Sequence, residues 1–224
     1  MKVIYRILPI LVGICVPFLI LMTSIRALMN PWYLQTEYIK PDFPPDSYGF
    51  TTQERLRWSG MSLKYLLNRE KISYLGNLTF SNGMPLFNER ELSHMLDVKI
   101  LVQRAIAAWL ILLAGSIITG AWSIHSKWKR GYWKGVYFGA WATIGLLVAI
   151  IIGVFTNFYA LFENFHALFF TGDSWLFYTS DTLIRLFPEK FWSDAFLLVG
   201  AFSMILAIVA ILVSAWQIRK SKSA

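Results

Sequence analysis

The sequence is poor in the groups that soluble enzymes use. Its 224 residues include one cysteine, three histidines and only 15% charged residues. A lone cysteine, Cys15, allows neither a disulfide framework nor a thiolate-rich metal site, and its place in an apolar run makes it a packing or lipid-facing residue. The chain contains no GxSxG, HExxH, P-loop or GxGxxG pattern. That leaves no motif signal for a serine hydrolase, a zinc protease or a nucleotide site, so no cofactor is expected.

Four stretches lack charge, apart from Arg104 at the edge of the second: Ile7 to Ile25, Val102 to Trp122, Val136 to Phe155 and Ala195 to Trp216. Each is close to the roughly 20 residues a helix needs to cross a bilayer. The absence of ionisable groups inside them counts against a pump or an ion-coupled transporter. With 56% hydrophobic and 17% aromatic residues, the composition is that of a membrane protein. The first run follows Lys2 and Arg6 as a signal peptide would, but it is longer than a signal core and "IRALMNPW" offers no small-x-small site, so it reads as an uncleaved helix.

Charge gives the orientation. Met1 to Arg6, His125 to Gly135 and Gln217 to Ala224 carry nine basic residues and no acidic one. The other segments, Arg26 to Leu101 and Thr156 to Asp194 with Arg104 at a helix edge, hold 12 basic and all 13 acidic residues, a net charge of −1. The positive-inside rule then places both termini in the cytoplasm and two loops outside. The overall charge of +8 reports topology, and nucleic acid is rejected as a partner. His125, in "SIHSKWKRGYW", falls on the inner face in a basic, aromatic turn suited to anionic lipid.

The expected fold is mainly α: a polytopic membrane protein with four transmembrane helices and a small extracellular cap of helices with possible short strands. The segments are 1–29 (first helix), 30–100 (cap and lead-in), 101–123 (second helix), 124–135 (cytoplasmic loop), 136–155 (third helix), 156–193 (second outer loop), 194–217 (fourth helix) and 218–224 (cytoplasmic tail). In the cap, Pro31 ends the first span, and Pro41, Pro44 and Pro45 keep the chain extended. "TTQE" at Thr51 to Glu54 is a capping box that opens a helix to about Asn68, with Leu56, Leu63, Leu66 and Leu67 as apolar positions. "ISYLGNLTF" followed by "SNG" suggests a short strand and a turn. The "NLT" within it matches a glycosylation pattern and is assigned no function. Asn88 and Glu91 in "NERE" form a second capping signal, for a helix unbroken from about Glu89 to Trp122.

That continuity places His94 six to eight residues before the apolar edge, roughly 9 to 12 Å along the helix, at headgroup depth. Asp97, at i+3, is close enough to hold an imidazole tautomer, or else pairs with Lys99, Arg104 or solvent. His166 reaches a similar level where the third span gives way to Phe158, Tyr159, Phe162, Phe165, Phe169 and Phe170, an interfacial aromatic belt. "TGDSW" then turns the chain, and Pro188 with Glu189 opens the last helix. Such a histidine, taken alone, is more often a packing residue. An unperturbed pKa near 6.5 nevertheless suits both removal and return of a proton. His94, His166 and Asp97 or Asp173 would give three zinc ligands, but no close-spaced ligand motif accompanies them. Ser93 is a poor nucleophile for His94, because adjacent residues on a helix do not face each other. A mechanism without an enzyme nucleophile suits these residues better.

"ELSHMLDVK" after a long outer loop, with "FHALFF", "SWLFY", "SDTLIRLFPEKFW" and four spans, resembles the bacterial lipoprotein intramolecular transacylases over essentially the whole chain. The resemblance implies transfer of the sn-2 acyl chain of a diacylglyceryl lipoprotein to the amine of its own N-terminal cysteine, leaving the lyso form. It implies His94 and His166 as catalytic residues at a boundary of cap and membrane, with membrane lipid and the diacylated lipoprotein as partners. Asp97, Asp173, Ser174 and Asn164 are the candidate supporting groups. Phe165, Phe169, Phe170, Trp175 and Trp192 are the candidate pocket walls. Oligomeric state is not legible in the sequence. The competing expectations are a non-enzymatic membrane scaffold or accessory protein, and a phospholipid acyltransferase or lipase.

Overall fold

The computed structural model describes residues 4–126, 128–172 and 174–221. Lys127 and Asp173, the latter an expected supporting residue, lie outside the described residues, as do Lys2 and Lys222. Eight helices are present among the described residues: α1 (Ile4–Leu28), α2 (Pro31–Tyr38), α3 (Thr52–Leu67), α4 (Ser73–Gly76), α5 (Glu89–Ile124), α6 (Lys129–Phe169), α7 (Thr182–Leu186) and α8 (Glu189–Lys220). α1, α5, α6 and α8 are each long and apolar enough to cross a membrane.

The chain divides into two compact units. One contains residues 1–27, 106–155 and 197–224, and the other residues 28–105 and 156–196.

In the first unit, α1 and α6 meet through glycine. A Cβ on Gly139 would lie 2.5 Å from the Gly13 carbonyl oxygen and 2.7 Å from Val16 Cβ, and one on Gly135 would collide with the Pro9 carbonyl oxygen. Only glycine permits that approach, and in lipid such close packing replaces the missing hydrophobic drive. Val12, Val16, Ile20, Ala140 and Ala207 form its buried core. Polar ties join helices across the apolar surroundings: Ser203 Oγ donates to Ser24 Oγ (2.9 Å), Trp109 Nε1 donates to Thr23 Oγ1 (3.1 Å), and the Tyr132 hydroxyl donates to the Ser116 carbonyl (3.1 Å).

The second unit has a core of Phe50, Trp58, Tyr65, Leu75, Leu86, Phe87, Met95, Leu183 and Leu186. α3 starts at the expected capping box: Thr51 Oγ1 accepts from Glu54 N (3.2 Å), and Glu54 Oε2 accepts from Thr51 N (2.8 Å). Its buried face corrects the leucine stripe, however. Arg55, Trp58, Ser59, Ser62 and Tyr65 point inward, while Leu67 is exposed. Arg55 is accommodated by donating to the Pro44 carbonyl (2.7 Å) and stacking on Phe43.

Pro31 does more than end a helix. With Asn30 as N-cap and proline at N1, where the missing N–H costs nothing, it starts α2. The expected strand at Ile72 to Phe80 is instead the helical turn α4 and a single bridge between Thr79 and Pro85. Ile72 and Leu75, three apart, both pack on the core, which a strand would not allow. The "SNG" turn is present, with Gly83 at φ 83°.

Ionic links fasten this unit, Arg185 and Lys40 supplying two of them. Arg185 bonds Asp46 (2.9 Å) and lies 3.6 Å from the centre of the Phe50 ring. Lys40 bridges Glu37 (2.7 Å) and Asp194 (2.8 Å). Burial alone would push the Asp46 carboxyl up, but Arg185 and the Phe50 N–H hold it below the usual carboxylate range.

Candidate active site

α5 begins at Asn88. Its side chain accepts from Glu91 N (3.0 Å), and Glu91 Oε2 accepts from Asn88 N (2.8 Å), the reciprocal box expected from "NERE". The other Glu91 oxygen accepts from Leu183 N (2.7 Å), so one buried carboxylate ties the starts of α5 and α7 together. Glu91, His94, Met95 and Lys99 then follow at helical spacing as the buried stripe of this part of α5. His94 is only 7% exposed.

α6 carries the second histidine by a different device. Its backbone breaks at Asn157 (φ −160°, ψ 84°), where Asn157 Oδ1 accepts from Ala160 N (2.9 Å) and caps the final stretch as a new helix. Residues 158–169 are therefore helical, and Phe158, Phe162, His166 and Phe170 recur every fourth residue along one face. Successive ring centres along that row are 5.8, 4.2 and 5.8 Å apart. His166 Nδ1 lies 2.8 Å from the Phe162 carbonyl oxygen.

The two imidazoles face each other with centres 6.0 Å apart and planes inclined by 25°. Phe170 touches both, at 5.0 Å from His94 and 5.8 Å from His166. Trp175 stacks on His166 at 4.9 Å, and Phe177 packs edge-on against His94 at 5.3 Å. Gly172, at φ 65°, makes the turn that returns Trp175 and Phe177 to the pair.

A carbonyl can only accept a hydrogen bond. His166 Nδ1 must therefore carry the proton, which leaves the Nε2 lone pair of the neutral ring free as a base. His94 Nδ1 is buried with no hydrogen-bond partner, so ring packing alone orients His94.

Of the expected pocket residues, Phe165, Phe170 and Trp175 touch a histidine. Phe169 instead packs on Phe165, and Trp192 on Phe162, Phe187 and Phe191. Sequence reasoning missed Phe162 and Phe177 as neighbours of the pair; the four-residue spacing of Phe162 from His166 was the available signal. Asp97 is exposed and forms no hydrogen bond with His94, because it falls off the buried stripe. Asn164 Nδ2 donates to the Ala160 carbonyl (2.7 Å), and Ser174 makes no hydrogen bond with either ring. Among the described residues, no group of three histidine, cysteine or carboxylate side chains is placed to hold a metal ion.

Four membrane-length helices and an aromatic-walled histidine pair define a multi-pass membrane protein with acid/base potential, in which no serine or cysteine among the described residues is hydrogen-bonded to either histidine. The profile of the lipoprotein intramolecular transacylase (Lit) family matches residues 10–192. An uncharacterized protein of Aquifex aeolicus (strain VF5) is 29% identical over 212 residues, 92% of each chain. The structure of the membrane-integral lipoprotein intramolecular transacylase Lit from Bacillus cereus superposes with a TM-score of 0.82 over the full length of both chains, at 21% identity. A second structure of that protein, in which one histidine is replaced by alanine, superposes at 0.73 over 100% of this chain and 97% of the other. The chain belongs to the lipoprotein intramolecular transacylase family: it is a multi-pass membrane acyltransferase.

Proposed function

We propose that the enzyme moves the sn-2 acyl chain of a diacylglyceryl lipoprotein onto the α-amine of that lipoprotein's N-terminal cysteine. The amine nitrogen attacks the ester carbonyl carbon, an N–C bond forms, and the bond to the glyceryl oxygen breaks. The amine proton leaves to a base and the glyceryl oxygen gains a proton, so the product has the mass of the substrate. Nucleophile and ester share one molecule, and holding them in an attacking geometry supplies several kcal/mol of the barrier.

His166 is the base in this reading, because Nδ1–H donation to Phe162 leaves its Nε2 lone pair free. An α-amine with a pKa of about 7.7 to 8.0 is within reach of such a base. His94, 6.0 Å away, donates a hydrogen bond from its neutral ring to the ester carbonyl oxygen, and the proton that His166 takes from the amine is returned to the departing glyceryl oxygen. The pairing of these two rings, one with a fixed tautomer, is the observation that carries the proposal. Phe162, Phe170, Trp175 and Phe177 limit water around the reacting groups, where electrostatic stabilisation is stronger. By the charge asymmetry of the loops, both termini lie in the cytoplasm and the histidines act at the outer face.

A crossover experiment tests the intramolecular step. Two reporter lipoproteins of different N-terminal sequence, one with deuterated acyl chains, are mixed with the enzyme and their lipopeptides are weighed. Each product retains its own acyl label under this proposal; exchange of label between peptides contradicts it.

A further inference from the structure

The two histidines are held by unlike means. His166 has a hydrogen bond to its own helix, whereas His94 Nδ1 has no partner and its ring rests against Phe170, Phe177 and His166. The orientation of His94 therefore depends on what fixes those neighbours. Phe170 continues from α6, bonded through its N–H to the His166 carbonyl (2.8 Å). Phe177 lies outside any helix and needs a separate anchor.

Arg90 supplies it. One turn before His94 on α5, its guanidinium lies 5.6 Å from the Phe177 ring centre and 5.0 Å from that of Tyr178. Its terminal nitrogen bonds Asp181 Oδ2 (3.1 Å), the oxygen that also accepts from Tyr178 N (2.9 Å). Asn88 Nδ2 donates to the other Asp181 oxygen (3.1 Å). Asp181 thus fixes the guanidinium plane, and the guanidinium covers the ring that packs on His94. We propose that Arg90 is a positioning residue for the transacylation, acting on His94 through Phe177. The inference rests on the carbonyl-polarising role given to His94 above. A guanidinium suits the task because it stacks on rings while its fork holds a carboxylate.

The test compares wild type with Arg90→Gln, Arg90→Lys, Phe177→Leu and the Arg90→Gln/Phe177→Leu double variant. Arg90→Gln is expected to lower kcat about tenfold while KM stays within about twofold, since a misplaced catalytic ring costs turnover rather than binding. Arg90→Lys, which keeps a cation over the rings, recovers most of that loss. The double variant loses no more than the worse single one, because both changes act on one contact chain. Phe177→Leu alone tests the same link if Arg90→Gln fails to fold.

A second readout needs no substrate: the rate of diethyl pyrocarbonate modification, followed by peptide mass spectrometry. Arg90→Gln is expected to raise labelling of His94 severalfold and leave His166 unchanged. A raised KM with unchanged kcat, His94 labelling equal to wild type, or an equal rise at both histidines overturns the proposal. If labelling follows the expected pattern while wild-type enzyme leaves diacyl lipoprotein unmodified, the positioning role stands and the reaction assigned above fails.

Discussion

Glu91 Oε1 accepts a hydrogen bond from the backbone N–H of Leu183 at 2.7 Å, while its other oxygen serves the N–H of Asn88. One carboxylate, 1% exposed, thereby satisfies two backbone donors, one of them on Leu183, 92 residues further along the chain. Glu91→Ala leaves both without that partner and is expected to destabilise the protein by about 2 to 4 kcal/mol, the sum of a lost cap and a lost charged hydrogen bond. Glu91→Gln, which retains one acceptor oxygen, loses less. Denaturant titration in detergent micelles measures both; a Glu91→Ala variant as stable as wild type contradicts the double-cap role.

Asp97→Asn separates a sequence expectation from the geometry found. The side chain is exposed and unlinked to His94, so stability is expected to change by less than about 0.5 kcal/mol. Turnover of a diacyl reporter stays within about twofold of wild type. A loss of tenfold or more would return Asp97 to the site.

Helix contact in the first unit makes two glycines behave oppositely. Gly139→Ala would force a methyl to 2.5 Å from the Gly13 carbonyl oxygen, whereas Gly145→Ala meets nothing within 4 Å. The first is expected to lower Tm by several degrees and the second to leave it level or raise it slightly, since alanine costs less than glycine in a helix. Thermal unfolding followed by helical circular dichroism distinguishes them; equal effects contradict the close approach of α1 and α6.

Acid should weaken the second unit through Asp46. Its folded-state pKa lies below the ordinary value, so its contribution is present above the unfolded pKa of about 3.9 and is lost as pH falls through the lower folded value. Asp46→Asn is expected to be less stable than wild type at pH 7, with the gap closing as pH drops below about 4. Unfolding titrations at successive pH values test this, and a gap independent of pH argues against the Arg185 pairing as its source.

Much of this was legible in the sequence because it was local. Thr51 with Glu54 and Asn88 with Glu91 are contiguous caps, the four apolar runs need no tertiary knowledge, and His94 and His166 stand out by rarity. Properties set by direction or distance were harder to read. Asp97 satisfies an i+3 rule, yet the stripe through Glu91, His94, Met95 and Lys99 leaves it aside. The buried face of α3 escaped a search for leucines because Arg55, Ser59 and Ser62 occupy it, compensated by partners such as Pro44 and Trp58. Phe177 could not be singled out among 17 phenylalanines, since its importance arises from Arg90 on one side and His94 on the other.

The central claim is that His94 and His166 together carry the acyl shift. Its most direct test is mass spectrometry of the N-terminal lipopeptide of a diacylated reporter, co-expressed in a host without N-acylating enzymes with wild type, His94→Ala or His166→Ala. The account predicts that wild type leaves the total mass unchanged and moves one acyl chain from glycerol to the cysteine nitrogen. Each folded variant should leave the diacyl form, with turnover reduced at least about 10²-fold. A variant that folds and transfers the chain at the wild-type rate would contradict the account.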